Sequence, residues 1–153
     1  MENILTIRKA NLEDLPVVHE LVRELSIYEK AEHEFVASLE DYQNGFNEQA
    51  FFVLLAEIDN QVVGMALYYY TYSTWKGKMM YLDDLVIRKE YRRLGIGGML
   101  FQAFLTESKA VGCRLVKWQV LDWNELALNF YSRFDAVIEK DWWNGKIVFN
   151  AKV

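Results

Sequence analysis

Residues 3 to 9 alternate apolar and polar positions, the pattern of a short strand. Apolar positions then recur with helical spacing at Leu15, Val18, Leu21, Leu25 and Tyr28. Asn11 and Asp14, three apart, form a capping-box pattern ahead of that stretch. With Asp14 as the cap, Pro16 falls in the first turn, where its missing N–H costs little, so the helix is predicted to start there. Ser38 and Asp41 repeat the capping pattern for a short second helix that stops near Gly45. The period then changes to two. "AFFVLLAEI" and "QVVGMALYYYTY" are apolar, aromatic and β-branched runs joined by Asp59 and Asn60, a pair suited to a tight hairpin turn, and "KMMYLDDLVI" follows as a third long strand. A helix from about residue 95 to 110 closes at Gly112, "RLVKWQVL" reads as a strand, and Asn124 caps a helix to about Phe134. "AVIEKDW" and "KIVFN" read as two last strands. The predicted order is βααβββαβαββ, an α+β fold with a sheet flanked by helices. One proline, no low-complexity tract and no repeat leave no visible linker, so one domain spanning 1–153 is expected.

Composition narrows the function more than the fold. The 52% hydrophobic and 25% charged residues are those of a folded chain, and 153 residues suffice for one buried core. No apolar run approaches the roughly 20 residues of a membrane helix, and "MENILTIRKA" lacks the layout of a signal peptide. A cytoplasmic location without membrane attachment is expected. Cys113 is the lone cysteine, and no cysteine and histidine cluster has zinc spacing, so no metal is expected. A net charge of −5 argues against a nucleic-acid partner and is compatible with a cationic one.

The stretch "RRLGIGGML" breaks the helical pattern at its start. Glycine costs a helix about 1 kcal/mol per position against alanine, so Gly95, Gly97 and Gly98 need a reason. A turn that leads from a strand into a helix presents unpaired backbone N–H groups and the positive end of the helix dipole, which together make an anion site. Bare glycines let phosphate oxygens reach the backbone, and Arg92 and Arg93 add charge. A dinucleotide fingerprint would need glycine at 100, where Leu100 stands, and no Lys-Ser/Thr pair follows as in a P-loop. The alternative is a turn that merely packs closely against a strand.

Arg92-Arg93-Leu94-Gly95-Ile96-Gly97 resembles the Arg/Gln-x-x-Gly-x-Gly/Ala signature of the GNAT superfamily of N-acetyltransferases, and the predicted element order is that of its fold. "YYYTYSTWKGKMMYLDDLVI", "EYRRLGIG" and "DWNELALNFYSRF" are each similar to segments of the diamine (spermidine/spermine) acetyltransferases. The resemblance implies acetyl-CoA as co-substrate. Its pyrophosphate would lie on the backbone N–H groups of Arg93, Leu94, Gly95, Ile96, Gly97 and Gly98, with Arg92 beside it. Its pantetheine arm would pair with Leu85 and Ile87 as another strand does. Tyr131 matches the family's general acid, which protonates the leaving thiolate, and Asn124 matches a residue that contacts the cofactor arm. Tyr28 and Glu29 resemble the segment lining the amine pocket, with Glu32 and Glu34 close behind. The resemblance further implies a homodimer, direct transfer in a ternary complex, and a small polyamine, diamine or thialysine-like acceptor. Protein lysine, an aminoglycoside, or a non-catalytic acyl-CoA binding module are the alternatives.

The chemistry demands a base. An alkyl amine with a pKa of about 10.4 is almost wholly protonated at pH 7, and presenting it neutral costs about 4 to 5 kcal/mol. Asp83 and Asp84, on the strand before the glycine turn, are the candidates. Relatives commonly carry glutamate at the first position, where it takes the proton through ordered water, so the resemblance implies Asp83 as the base and Asp83 with Asp84 as amine-binding residues. Asp83 is one methylene shorter, and a further water or another acid would complete the relay. Adjacent strand residues face opposite ways, so only one of the two reaches a given cleft unless the strand is bulged. Asp135 departs from the glycine usual after this helix, but aspartate tolerates the left-handed conformation better than most residues. The five tryptophans read as core or interface, and His19 and His33 carry no assignment.

Overall fold

The computed structural model describes residues 4–149. Its contacts divide into two compact units, Met1–Gln119 and Val120–Val153.

The first unit holds β1 (Leu5–Lys9), α1 (Leu15–Tyr28), α2 (Leu39–Asn47), β2 (Phe52–Ile58), β3 (Gln61–Ser73), β4 (Gly77–Ile87), α3 (Ile96–Ala110) and β5 (Leu115–Trp118). The five strands form one sheet in sequence order, antiparallel from β1 to β4 and parallel between β4 and β5. The Asn11–Asp14 box caps a short 3-10 turn, and Asp14 then stands at the N-cap position of α1 with proline in its first turn, although its side chain makes no capping hydrogen bond to that helix. Ser38 and Asp41 close the capping box of α2. Asp59 and Asn60 both take positive φ, 51° and 64°, the backbone of a two-residue hairpin whose twist matches its strands.

Alternation along the strands sends side chains to two covered faces. Leu15, Val18 and Leu21 of α1 pack on Val53 and Leu55 of β2, Met65 and Leu67 of β3 and Val86 of β4, all buried. Each such aliphatic side chain contributes about 1.5–3 kcal/mol by leaving water. α3 supplies the buried Ile96, Leu100, Phe101 and Phe104, and the Phe104 ring meets Tyr68 edge-on at 5.3 Å. Gly64 of β3 passes so close to β4 that a Cβ would lie 2.9 Å from the Val86 carbonyl oxygen. No helix among the described residues is long and apolar enough to cross a membrane.

The second unit contains α4 (Glu125–Ser132), shorter than the sequence suggests, with Asp135 at φ 56° just beyond it. The two C-terminal strands are a correction. Residues 136–149 form no strand, and Asn150 of "KIVFN" lies outside the described residues. Alternation is a local property, whereas a strand needs a neighbour for its backbone hydrogen bonds. Val137, Ile147 and Phe149 lie in these two stretches and are all at least 84% exposed. The observed order is therefore βααβββαβα.

Candidate active site

β4 carries most of the site because its two edges part company. β5 pairs with it only from Met79 to Leu82, while β3 continues along it to Ile87. Among the described residues the stretch after Leu82 has no strand on its β5 side. The Arg88 N–H donates to the Val63 carbonyl oxygen at 2.8 Å, so by the alternation of an antiparallel ladder the amides of Leu85 and Ile87 are directed away from β3, toward that open edge. The Ile87 carbonyl is already engaged, accepting from Arg92 Nε at 3.1 Å.

The glycine turn follows. Arg93 and Gly95 take positive φ, 66° and 80°, which curls the chain into α3 with Gly95 as its N-cap. The N–H groups of Ile96, Gly97 and Gly98 precede the first helical bond, from Met99 N–H to the Gly95 carbonyl at 3.1 Å. Apart from the chain neighbours and the helix's own backbone, no atom comes within 4 Å of where a Cβ on Gly95 or Gly98 would stand. Close packing is thus not the reason for glycine at these two positions. The bare backbone opens to solvent at a helix N-terminus, where unpaired N–H groups favour an anion. Arg92 ties this turn to α1, its guanidinium carbon 5.3 Å from the centre of the Tyr28 ring.

The acidic pair lies one step earlier on β4, at a bulge. Leu67 is opposite Asp84 and Tyr68 is opposite Leu82, so Asp83 is the extra residue. The bulge lifts the alternation rule locally, and both aspartates line one cavity of about 330 Å³ together with Asp41, Tyr42, Phe51 and Tyr69. Asp83 is exposed and accepts a hydrogen bond from the Tyr69 hydroxyl at 3.2 Å. Asp84 is more enclosed, and its pKa is pushed up to about 7, first by burial and then by the charges of Asp83 and Glu29. Glu29, just past the end of α1, is raised by burial and by Asp83. The Tyr42, Tyr69 and Tyr81 hydroxyls are also raised, chiefly by burial and then by these carboxylates. Among the described residues lining the cavity there is no lysine, arginine or histidine. Such a concentration of negative charge favours a cationic ligand.

The structure therefore brings Glu29, Asp83 and Asp84 within electrostatic reach of one another and sets Tyr28 against Arg92 instead of in the cavity wall. Glu32 and Glu34 form a short 3-10 turn and are not among the lining residues. In the second unit, Asn124 caps α4 by accepting from the Ala127 N–H at 3.2 Å, and Tyr131 stands in the last turn with its ring 5.1 Å from that of Phe130. Sequence reasoning missed Tyr42 and Tyr69. Tyr69 carried a usable signal, because it faces Tyr81 across the hairpin and the two rings stack at 5.4 Å beside the acidic pair.

Comparisons with known proteins place the chain in a family. Residues 15–136 match the acetyltransferase (GNAT) family model. A thialysine N-epsilon-acetyltransferase of Bos taurus is 36% identical over 150 residues, covering 90% of this chain and 88% of its own. A human spermidine/spermine N(1)-acetyltransferase-like protein 1 is 30% identical over 148 residues, covering 89% of this chain and 21% of that longer one. An aminoglycoside acetyltransferase from an uncultured soil metagenomic sample superposes with a TM-score of 0.80 at 23% identity, over 95% of this chain and 97% of that one. That structural likeness speaks to fold. A β4 with an open edge, a bare-backboned turn into α3 and the family match together make this chain a member of the GNAT family, an N-acetyltransferase that moves acetyl groups to amines.

Proposed function

We propose that this protein transfers the acetyl group of acetyl-CoA, directly and within a ternary complex, to a primary amine of a small polyamine, diamine or thialysine-like substrate. The observation that carries the reading is the cavity itself, walled by Asp41, Asp83 and Asp84 with Glu29 in electrostatic reach and no cation among the described lining residues. Such a wall attracts a small cationic amine and holds a second ammonium while the first reacts. Relatives named for thialysine and spermidine/spermine support the same class.

Acetyl-CoA supplies the activated carbonyl. In this reading the N–H groups from Arg93 to Gly98 hold its pyrophosphate, with Arg92 beside the turn. Leu85 and Ile87 align the pantetheine arm at the open edge of β4, and Asn124 contacts it. The acidic pair takes the proton from the incoming ammonium, and Tyr131 returns one to the leaving thiolate. Both compact units act together as one transferase domain, a reading supported by a family match that runs from 15 to 136. The working form is a cytoplasmic homodimer.

Initial velocities with both substrates varied test the central step. Intersecting lines are expected for direct transfer, and parallel lines would indicate an acetylated enzyme instead. Light scattering should return twice the 18.1 kDa chain mass, and a monomer mass would remove the dimer from the proposal.

A further inference from the structure

The bulge on β4 gives two neighbouring aspartates different surroundings within one cavity. Asp83, the extra residue, is exposed, and one of its oxygens is occupied by the Tyr69 hydroxyl. Asp84 stays in the ladder opposite Leu67, where the strand fixes its backbone, and it is the more enclosed of the two.

We propose that Asp84, and not the more exposed Asp83, is the carboxylate that takes the proton from the reacting amine, while Asp83, oriented by Tyr69, anchors the ammonium. This rests on reading the cavity as the amine site. The C–N bond forms as the C–S bond of the thioester breaks. Of the two protons the ammonium loses, one passes to Asp84 and then to solvent, and the other balances the proton gained by the leaving thiolate.

The electrostatics agree. Asp84 is faced by Asp83 on its own strand, Glu29 from the end of α1, Asp41 and Tyr42 from α2, and Tyr69 from β3, with no lining cation among the described residues. Burial first, and then the charges of Asp83 and Glu29, move its pKa from 3.8 to about 7. A carboxylate so displaced accepts a proton about 1,000-fold more readily than an ordinary aspartate, at ten-fold per pH unit, and remains available as the anion near neutral pH.

The test compares wild type, Asp83→Asn and Asp84→Asn in two ways. The first is the pH profile of kcat/KM with whichever small amine is turned over. Wild type should lose activity as pH falls through about 7. Asp83→Asn should turn over more slowly with this limb moved to lower pH, because a neighbouring negative charge is gone. Asp84→Asn should lose about 10²- to 10⁴-fold in rate and lose the limb. A limb that survives in Asp84→Asn and vanishes in Asp83→Asn would overturn the assignment. The second readout needs no substrate: ¹³C-carboxyl NMR of labelled aspartate in the free protein. A carboxyl titrating near 7, absent from Asp84→Asn and shifted down in Asp83→Asn, supports the assignment, and only ordinary aspartate titrations would overturn it. Should every small amine prove inert, the reading of the cavity fails while the NMR result still decides where the proton sits.

Discussion

Replacing Asp84 by asparagine should make the protein more stable at pH 8 while disabling it. Ionised Asp84 is enclosed beside Asp83 and Glu29, and its pKa is about 7 in the fold against 3.8 as a free side chain. The folded state therefore holds this proton more tightly than the unfolded chain does. The stability this gives is fully present below pH 3.8 and is lost as pH rises through about 7. The gap between 3.8 and about 7 corresponds to at most about 4 kcal/mol, at 1.36 kcal/mol per pH unit. Integrated between pH 5 and pH 8, the loss is about 2–3 kcal/mol. Asparagine keeps the shape and does not titrate. The stability difference between variant and wild type should therefore grow by that amount from pH 5 to pH 8, or roughly 5–10 °C in melting temperature for a chain of this size. Urea unfolding of both proteins at pH 5, 6, 7 and 8 measures it, and titrations common to both cancel in the difference. A pH-independent difference, or an asparagine variant less stable at pH 8, would refute the picture of Asp84 as a carboxyl held against its preference for water.

Gly98→Ala should stabilise α3 by up to about 1 kcal/mol, since the site of the new Cβ is open. The same methyl intrudes where the pyrophosphate is proposed to lie, so calorimetry should show weaker CoA binding, and unchanged affinity would argue against that placement. Gly64→Ala should lose about 1–3 kcal/mol in urea unfolding, because its Cβ would lie 2.9 Å from the Val86 carbonyl oxygen, which cannot move without the strand. Tyr131→Phe should bind CoA normally yet turn over about 10²- to 10⁴-fold more slowly, measured by thiol release. Full turnover would remove Tyr131 as the acid.

The parts of the fold that were legible in the sequence are those fixed by neighbours along the chain. The capping boxes at Asn11 and Ser38, the start of α1 at Asp14 with proline in its first turn, the Asp59–Asn60 turn and the left-handed Asp135 depend on a few adjacent residues, and each appears as expected. The features that depend on distant partners were not. "AVIEKDW" and "KIVFN" have the alternation of strands, but among the described residues no strand pairs with them. β5 is four residues long because its ladder with β4 ends at Leu82, just before the bulge. The acidic pair was visible, along with the condition for both members to share a cleft, yet the bulge that meets the condition is a matter of register between β3 and β4. Tyr42 and Tyr69 reach the cavity from a helix and a strand well apart in sequence, and Tyr28 meets Arg92 only because the end of α1 comes to the glycine turn.

Thiol release from acetyl-CoA by the purified protein, against spermidine, spermine, putrescine, thialysine, lysine and a histone-tail peptide, tests the central claim most directly. Rapid release with at least one of the small amines, and little with the peptide, is the predicted result. Release with the peptide alone, or silence across the panel with CoA still bound tightly, would contradict it.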